Sequence, residues 1–453
     1  MKCELTKTGG LLSPSAVEYT IRCILKIAGV PEQSCRLQET TVALGDTIIF
    51  FQLLPEEEQK RLFRGEAQPT QVDSFDGKIK IPLFGGERFA RWNGTELSLC
   101  ADILTISFAL LSRYEETLTD SRDQYGRFSY QESLSCRYGL IDFPLVDEYA
   151  MLLRRELVEH GVTGLLPKRR PRVLPTHDVD ELWRFASPFK VLKSIIGGDL
   201  LIRRSFKTAV SSLKEAMHSR CTPEKDPRYL DCIRLKELSQ ENDMFSTFFF
   251  LDYEGGEDQL YDIRHPSVGK LMQILKKEGC VIGIHGGLGT CDAPSAFRIQ
   301  KECVDEIFNE KVKVGRQHFL CFDAMSTPKI WDDNGILEDQ TLTFHDREGF
   351  RCGTCHPYPL YDLAADQPLS VKERPLLLMD GTVEGYRRLT VETALDSARM
   401  LRERVFAVGG DFVILWHNSS LDRGWEEWYQ RFYVQWLRES GEILKQNDLE
   451  AFK

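Results

Sequence analysis

The sequence predicts an α/β protein: a distorted (β/α) barrel preceded by a smaller mixed α/β domain. Three observations carry this. After residue 170, short apolar runs of strand length alternate with amphipathic runs of helix length, the pattern of a parallel sheet covered by helices. Several of the apolar runs stop at a residue able to do chemistry: Asp178 and Asp180, His285, Arg316 and His318, His417. Such residues past the carboxyl ends of several strands mark a barrel rim. The basic, proline-flanked stretch Leu166-Pro167-Lys168-Arg169-Arg170-Pro171 separates this pattern from a more mixed upstream region. The expected domains are therefore residues 1–168 and 169–453. A doubly wound open sheet is the fold alternative.

Upstream, residues 17–27 alternate and then cluster apolar side chains. Thr47-Ile48-Ile49-Phe50-Phe51 and Ile79-Lys80-Ile81-Pro82-Leu83-Phe84 read as strands. Residues 102–113 read as a buried helix. Residues 149–160 are amphipathic, with Leu152, Leu153 and Leu157 in one stripe. Downstream, Val173-Leu174-Pro175 leads into the Asp178 run, and Ser246-Thr247-Phe248-Phe249-Phe250-Leu251 is a strand. A helix over 268–279 ends in glycine, and Cys280-Val281-Ile282-Gly283-Ile284 runs into His285. A helix over 296–309 precedes Lys313-Val314-Gly315-Arg316, which leads to His318. A helix over 391–405 precedes Phe412-Val413-Ile414-Leu415-Trp416, which ends at His417.

Composition narrows the function. The chain has 453 residues, 42% hydrophobic and 28% charged, enough for a sizeable core. A net charge of -11 argues against sequence-independent nucleic-acid binding, which needs a basic surface. No run is apolar for long enough to span a bilayer, and residues 1–7 hold no apolar core of signal-peptide length, so a cytoplasmic location is expected. The 13 cysteines are scattered and odd in number. Several (Cys23, Cys232, Cys280, Cys321) sit in apolar runs, as buried free thiols do.

In a strand, residues two apart share a face, so Asp178 and Asp180 point one way and His177 the other. Two carboxylates side by side repel unless a shared proton or a cation separates them. With histidines at neighbouring strand ends, a divalent metal is the expected cofactor, with Asp180, His285 and His318 as its ligands. Imidazole and carboxylate together suit zinc. His285 precedes Gly286-Gly287, small residues that allow close approach to the backbone; the bland reading is a turn histidine. His318 shares a face with Arg316, or is a partly buried structural histidine. His417, at the end of an apolar strand, suits a general acid near neutral pH; otherwise it caps a core strand. Cys352-Gly353-Thr354-Cys355-His356 matches a haem-attachment pattern, rejected because no export signal accompanies it. That stretch reads better as a rim loop in which Arg351 or His356 contacts substrate. Trp331 or Trp416 forms an apolar wall for the substrate, or else belongs to the core.

Residues 189–217 interleave Lys190, Lys193, Arg203, Arg204, Lys207 and Lys214 with Phe189, Leu192, Ile195, Ile196, Leu200, Leu201, Ile202 and Phe206. The preferred reading is a helical cover on the barrel. The alternative is an insertion that touches a membrane monolayer, which requires Leu192, Ile196, Leu200 and Phe206 to be exposed together.

Taken in order, Thr176-His177-Asp178-Val179-Asp180, Ile282-Gly283-Ile284-His285-Gly286, Gly315-Arg316-Gln317-His318-Phe319-Leu320 and Leu415-Trp416-His417-Asn418 resemble the motifs of the polysaccharide deacetylases, the NodB-homology proteins of carbohydrate esterase family 4. The resemblance covers roughly residues 170–440 and rests on motif order more than on any single motif. Leu111-Ser112-Arg113-Tyr114-Glu115-Glu116 and Asp123-Gln124-Tyr125-Gly126-Arg127-Phe128 resemble an uncharacterised domain that precedes such modules in some bacterial proteins. The resemblance implies removal of acetyl groups from an N-acetylated saccharide with a divalent metal, usually zinc. It implies Asp178 as general base, Asp180 and His285 as ligands, Arg316 beside the base and His417 as acid. The chain departs from the family pattern in two places. The usual adjacent aspartates are spread to Asp178-Val179-Asp180, so their roles are open to exchange. The second histidine, four residues after His285, is replaced by Gly289, and His318 is the expected substitute. Two other function classes remain: a glycan-binding or scaffolding barrel without chemistry, which Gly289 favours, and a hydrolase of another bond, such as a cyclic amide or a glycoside.

Overall fold

The computed structural model describes residues 11–185, 187–202, 204–252, 261–421 and 425–451; residues 1–7 and Arg203, used above, lie outside these. The chain divides into two compact units, both discontinuous in sequence. One comprises Met1–Arg172, Phe319–Arg388 and Asp396–Phe412. The other comprises Val173–His318, Leu389–Leu395 and Val413–Lys453. The first segment ends at Arg172, and Phe319–Arg388 and Asp396–Phe412 of the same unit lie within the stretch 169–453 that was expected to be a separate domain.

The first unit opens with the helix Pro14–Ala28. Ser13 caps it by accepting from the Ala16 amide at 3.0 Å, proline occupies its first turn, and Gly29 ends it in the left-handed region at φ 83°. A five-stranded sheet follows, in the order Cys35–Gln38, Thr41–Leu44, Thr47–Phe50, Glu96–Leu99, Ala90–Asn93. The Thr47–Phe50/Glu96–Leu99 pair is parallel and the others antiparallel. Lys80–Leu83 pairs with Thr70–Asp73 instead. Every residue of the helix Leu104–Ser112 is buried, which accounts for a sequence apolar on all sides. The helix Leu145–Glu159 buries Leu152, Leu153 and Leu157 as their stripe predicts.

Both upstream motifs have structural roles in this unit. Arg113, fully buried, bonds Glu115 at 2.5 Å and Glu116 at 2.8 Å. Asp123 accepts from the Tyr125 and Arg127 amides at 2.9 Å, closing a turn in which Gly126 supplies φ 79°.

Further strands stand in the order Val314–Gln317, Val281–Gly286, Thr247–Leu251, Arg172–Val179, Asp411–Leu415, and the first four pair parallel. Thr247–Leu251 and Asp411–Leu415 are buried throughout, as strands covered on both faces are. Helices Pro227–Glu241, Pro266–Lys277 and Pro294–Phe308 connect them. The register sets Asp178 opposite Phe249, and His285 opposite both Leu251 and Arg316. On the other side, the Trp416 amide donates to the Thr176 carbonyl at 2.9 Å. The α/β class holds. The nine-stranded sheet continues past both Val314–Gln317 and Asp411–Leu415, to end at Tyr358–Asp362 and at Leu376–Met379, and no strand pairing among the described residues joins those two ends. The sheet is an open half-barrel where a closed barrel was expected.

Candidate active site

Parallel strands in register deliver their carboxyl ends to one edge, which is where α/β sheets carry their sites. Asp178, Asp180, His285, Arg316, His318 and His417 all lie in the second unit, and the structure brings them together at that edge.

Arg316 is fully buried. Its Nη1 donates to Asp178 Oδ1 at 2.8 Å, its Nη2 donates to Thr176 Oγ1 at 2.9 Å, and its guanidinium lies 4.5 Å over the Phe249 ring. Burial by itself would raise the Asp178 pKa. Arg316 above all, then His285 and His417, outweigh burial and hold the carboxyl at about 2, so it is ionised at neutral pH. His177, on the opposite face, lies against Phe248 with its Nδ1 2.8 Å from the Trp416 carbonyl, as strand alternation requires.

Asp180, His285 and His318 aim one donor atom each at a common point. His285 Nε2 is 3.4 Å from Asp180 Oδ1 and 2.9 Å from His318 Nδ1; His318 Nδ1 is 3.7 Å from Asp180 Oδ1. A tetrahedral ion with bonds of about 2.0–2.1 Å separates its ligand atoms by about 3.3–3.4 Å, so these spacings fit a zinc-sized ion. The tautomer fits too. His285 Nδ1 donates to the Arg316 carbonyl at 3.0 Å, leaving the Nε2 lone pair inward. Burial lowers the His285 pKa despite the raising effect of Asp178 and Asp180, which favours the neutral, ligating ring. Two imidazole nitrogens at 2.9 Å repel through their lone pairs unless a proton or a cation lies between them.

Gly289 has φ 81°, a conformation in which a histidine would be strained, so this turn is built for glycine. The imidazole nearest His285 is that of His318. Phe319 and Leu320, immediately after it, are both left-handed, at φ 57° and 58°. The room beside Gly286 is taken by Gln317 and Thr290, whose side chains bond each other at 2.8 Å, rather than left open for a ligand. His417 Nε2 lies 3.6 Å from Asp180 Oδ2 and 4.0 Å from Asp178 Oδ2. The next residue, Asn418, is fully buried and donates to the Glu181 carbonyl at 2.5 Å; Arg228 donates to the Ser419 carbonyl at 2.8 Å. Sequence reading missed Thr176, Arg228 and Asn418, which position the site. The only signal was the polar Asn418 beside His417.

The proposed substrate contacts fall elsewhere. Trp416 is fully buried and stacks on Tyr433 with centroids 4.5 Å apart, so it is core. Trp331 is likewise fully buried, in the helix Thr327–Asp333 of the first unit. Arg351 is buried in the first unit, where it bonds Glu116 at 2.5 Å and the Thr343 carbonyl at 2.6 Å; it completes the Arg113 cluster instead of reaching solvent. His356, also in that unit, is buried with Nε2 3.2 Å from the Val408 carbonyl. With Asp147 and Cys355 it forms a second group of metal-capable donors. There, however, Asp147 already accepts from Thr354 Oγ1 at 2.5 Å, the Cys355 amide at 2.9 Å and Cys355 Sγ at 3.1 Å. A Cβ on Gly410 would lie 2.1 Å from that sulfur, so the group is a closely packed loop anchor.

Residues 13–161 match a family described as "Family of unknown function (DUF7033)". No curated protein matches the sequence. Among solved structures, one named "putative polysaccharide deacetylase from Mycobacterium smegmatis" aligns with a TM-score of 0.39 and 19% identity over 62% of this chain and 86% of the other. Similarity at that level does not establish a shared family.

Proposed function

We propose that the protein is a metal-dependent hydrolase that removes an N-acetyl group from a saccharide. The observation that carries this reading is the convergence of Asp180, His285 and His318 beside an ionised, arginine-held carboxylate and a second histidine. A carboxylate and two neutral imidazoles are the donor set that zinc and similar ions prefer. Asp180 Oδ1, His285 Nε2 and His318 Nδ1 would hold the ion. When bound, it supplies Lewis acidity toward the amide carbonyl and toward water.

The chain's own groups do the rest. Asp178 Oδ2, on the side away from Arg316, accepts the proton of the attacking water. His417 Nε2, which faces Asp180, gives a proton to the nitrogen of the departing amine as the C–N bond breaks. Arg316 keeps Asp178 ionised and oriented, and Asn418 fixes the turn that carries His417. The donor set in place of the missing family histidine weighs against a barrel without chemistry. The motif order, quoted above, is what favours an N-acetyl sugar over other amides.

The test is release of acetate and free amine from N-acetylated oligosaccharides, with cyclic amides and glycosides as competing substrates. Activity should vanish with a chelator and return with zinc or cobalt. Asp178→Asn should lower turnover by at least about 100-fold, the scale of a lost general base, with bound metal unchanged. His318→Ala should lose the metal. Metal loss in Asp178→Asn would mean that the two aspartates have exchanged roles, and a wild-type protein that binds no divalent ion would end the reading.

A further inference from the structure

The segment that leaves the Asp178 strand and returns through the helix Pro227–Glu241 is packed inside out. It forms a helical hairpin of Pro188–Leu192, the π-wound Lys193–Ile202 and the helix Phe206–Cys221. A helix covering a sheet turns its large apolar side chains inward. Here Ala209, Ser212, Ala216 and Ser219 are buried, while Phe206, Val210, Leu213 and Met217 are exposed. Those four recur at i, i+4, i+7 and i+11, one stripe along the outer face. The preceding arm adds Phe189, Leu192, Ile196, Leu200 and Leu201, all exposed. Phe189 and Phe206 are 72% and 76% exposed, values that a merely partial cover does not produce. The inner side is fixed by Asp199, fully buried and accepting from Ser212 Oγ at 2.6 Å, so the outward stripe follows from how the hairpin is pinned. The preferred sequence reading, a structural cover, is therefore not what these side chains do.

We propose that this hairpin is a docking surface for an anionic membrane monolayer. Charge selects that occupant. Residues 188–220 hold seven basic and two acidic residues in a chain of net charge -11, and one of the two acids is the buried Asp199. Lys193, Arg204, Lys207 and Lys214 are exposed around the apolar stripe. Lysine is depleted from the centres of protein–protein interfaces, while an apolar stripe edged with lysine is the pattern of helices lying in a lipid headgroup layer. The rest of the chain is acidic and would be repelled by the same lipid, so contact is confined to this face. No helix among the described residues is long and apolar enough to cross a membrane, so the surface rests on the monolayer. Because the hairpin follows the strand Arg172–Val179, which holds Asp178 and ends just before Asp180, binding would bring the candidate site to a saccharide carried on lipid. The docking itself does not depend on the deacetylase reading and is measured with no saccharide present.

The experiment is sedimentation of the full chain with vesicles of phosphatidylcholine alone or with about one third phosphatidylglycerol, at roughly 0.1 M salt. The chain should sediment with the anionic vesicles, remain in solution with the neutral ones, and dissociate as salt is raised. Lys207→Gln with Lys214→Gln should weaken binding roughly 30-fold, the product of two lost lysine–lipid attractions. Phe206→Ser with Met217→Ser should abolish it while circular dichroism and melting stay unchanged, since both side chains are exposed. Absence of sedimentation with either vesicle, or equal binding to both, would overturn the proposal. So would a dimer that the Phe206→Ser/Met217→Ser protein fails to form, which would assign the stripe to a second copy of the chain.

Discussion

Arg316 serves two members of the candidate site at once. Its guanidinium pairs with Asp178, and its carbonyl receives the Nδ1 proton of His285. The pair is almost entirely out of water, so removing one partner leaves the other buried with its charge uncompensated. Arg316→Met should therefore cost about 3–5 kcal/mol in urea unfolding. Adding Asp178→Leu should restore much of that, because no lone charge then remains. A double variant as unstable as the single one would show that the arginine matters through packing against Phe249 instead. Activity should be lost in both, so stability and turnover separate the two roles.

At the scale of the element, the helix Leu145–Glu159 carries acids in its first turn, where the helix dipole favours negative charge. Glu148 nevertheless has its pKa pushed up to about 7, because burial outweighs the hydrogen bond that its carboxylate accepts from the Phe75 amide at 3.3 Å. A carboxyl whose folded pKa exceeds its unfolded value binds more protons in the folded state. Its favourable contribution is complete below about pH 4 and is lost as the pH rises through about 7. Glu148→Gln, which stays neutral and keeps an acceptor, should raise stability at pH 8 by on the order of 1–3 kcal/mol and change little at pH 4–5. Melting temperatures at the two pH values check the sign; equal shifts at both would show that the carboxyl is not the cause. Elements also show what sequence could and could not reveal. Asp178 and Asp180 were legible as one face, and His177 as the other, because strand alternation is local. The same alternation turns Trp416 inward, beside a rim histidine. Arg351 and His356 read as loop residues because glycines and prolines surround them, but Arg351 is paired with Glu116, 235 residues away, and no local pattern encodes that. The helix Phe206–Cys221 was legible as amphipathic, but its periodicity does not say which stripe faces water.

For the molecule as a whole, the open half-barrel has the same chain order of strand-end residues as the expected closed one, since both depend on parallel strands in register. An ion bound at Asp180, His285 and His318 ties together the ends of strands distant in sequence, and it binds only where they are assembled. Ligation to the folded state alone stabilises it by RT ln(1 + [L]/Kd), about 2.7 kcal/mol at a hundredfold excess over Kd. Zinc should therefore raise the melting temperature of chelator-treated protein by about 2–4 °C or less for a chain of this size. The shift should be absent in His318→Ala, and a shift that survives that change would place the ion elsewhere.

His318 presents Nδ1 to Asp180, whereas His285 presents Nε2. The near nitrogen sits on a shorter lever arm than the far one, so His318 translates any main-chain shift directly into donor displacement, and His285 can absorb some by rotating. Shorter side chains that imitate each nitrogen should then behave oppositely at the two positions. Asparagine, whose oxygen lies about where Nδ1 does, should retain more metal at position 318 than glutamine, and glutamine should retain more at 285 than asparagine. Metal titrations of His318→Asn, His318→Gln, His285→Asn and His285→Gln read this directly. The same ranking at both positions would mean that the two histidines do not present different nitrogens to the ion.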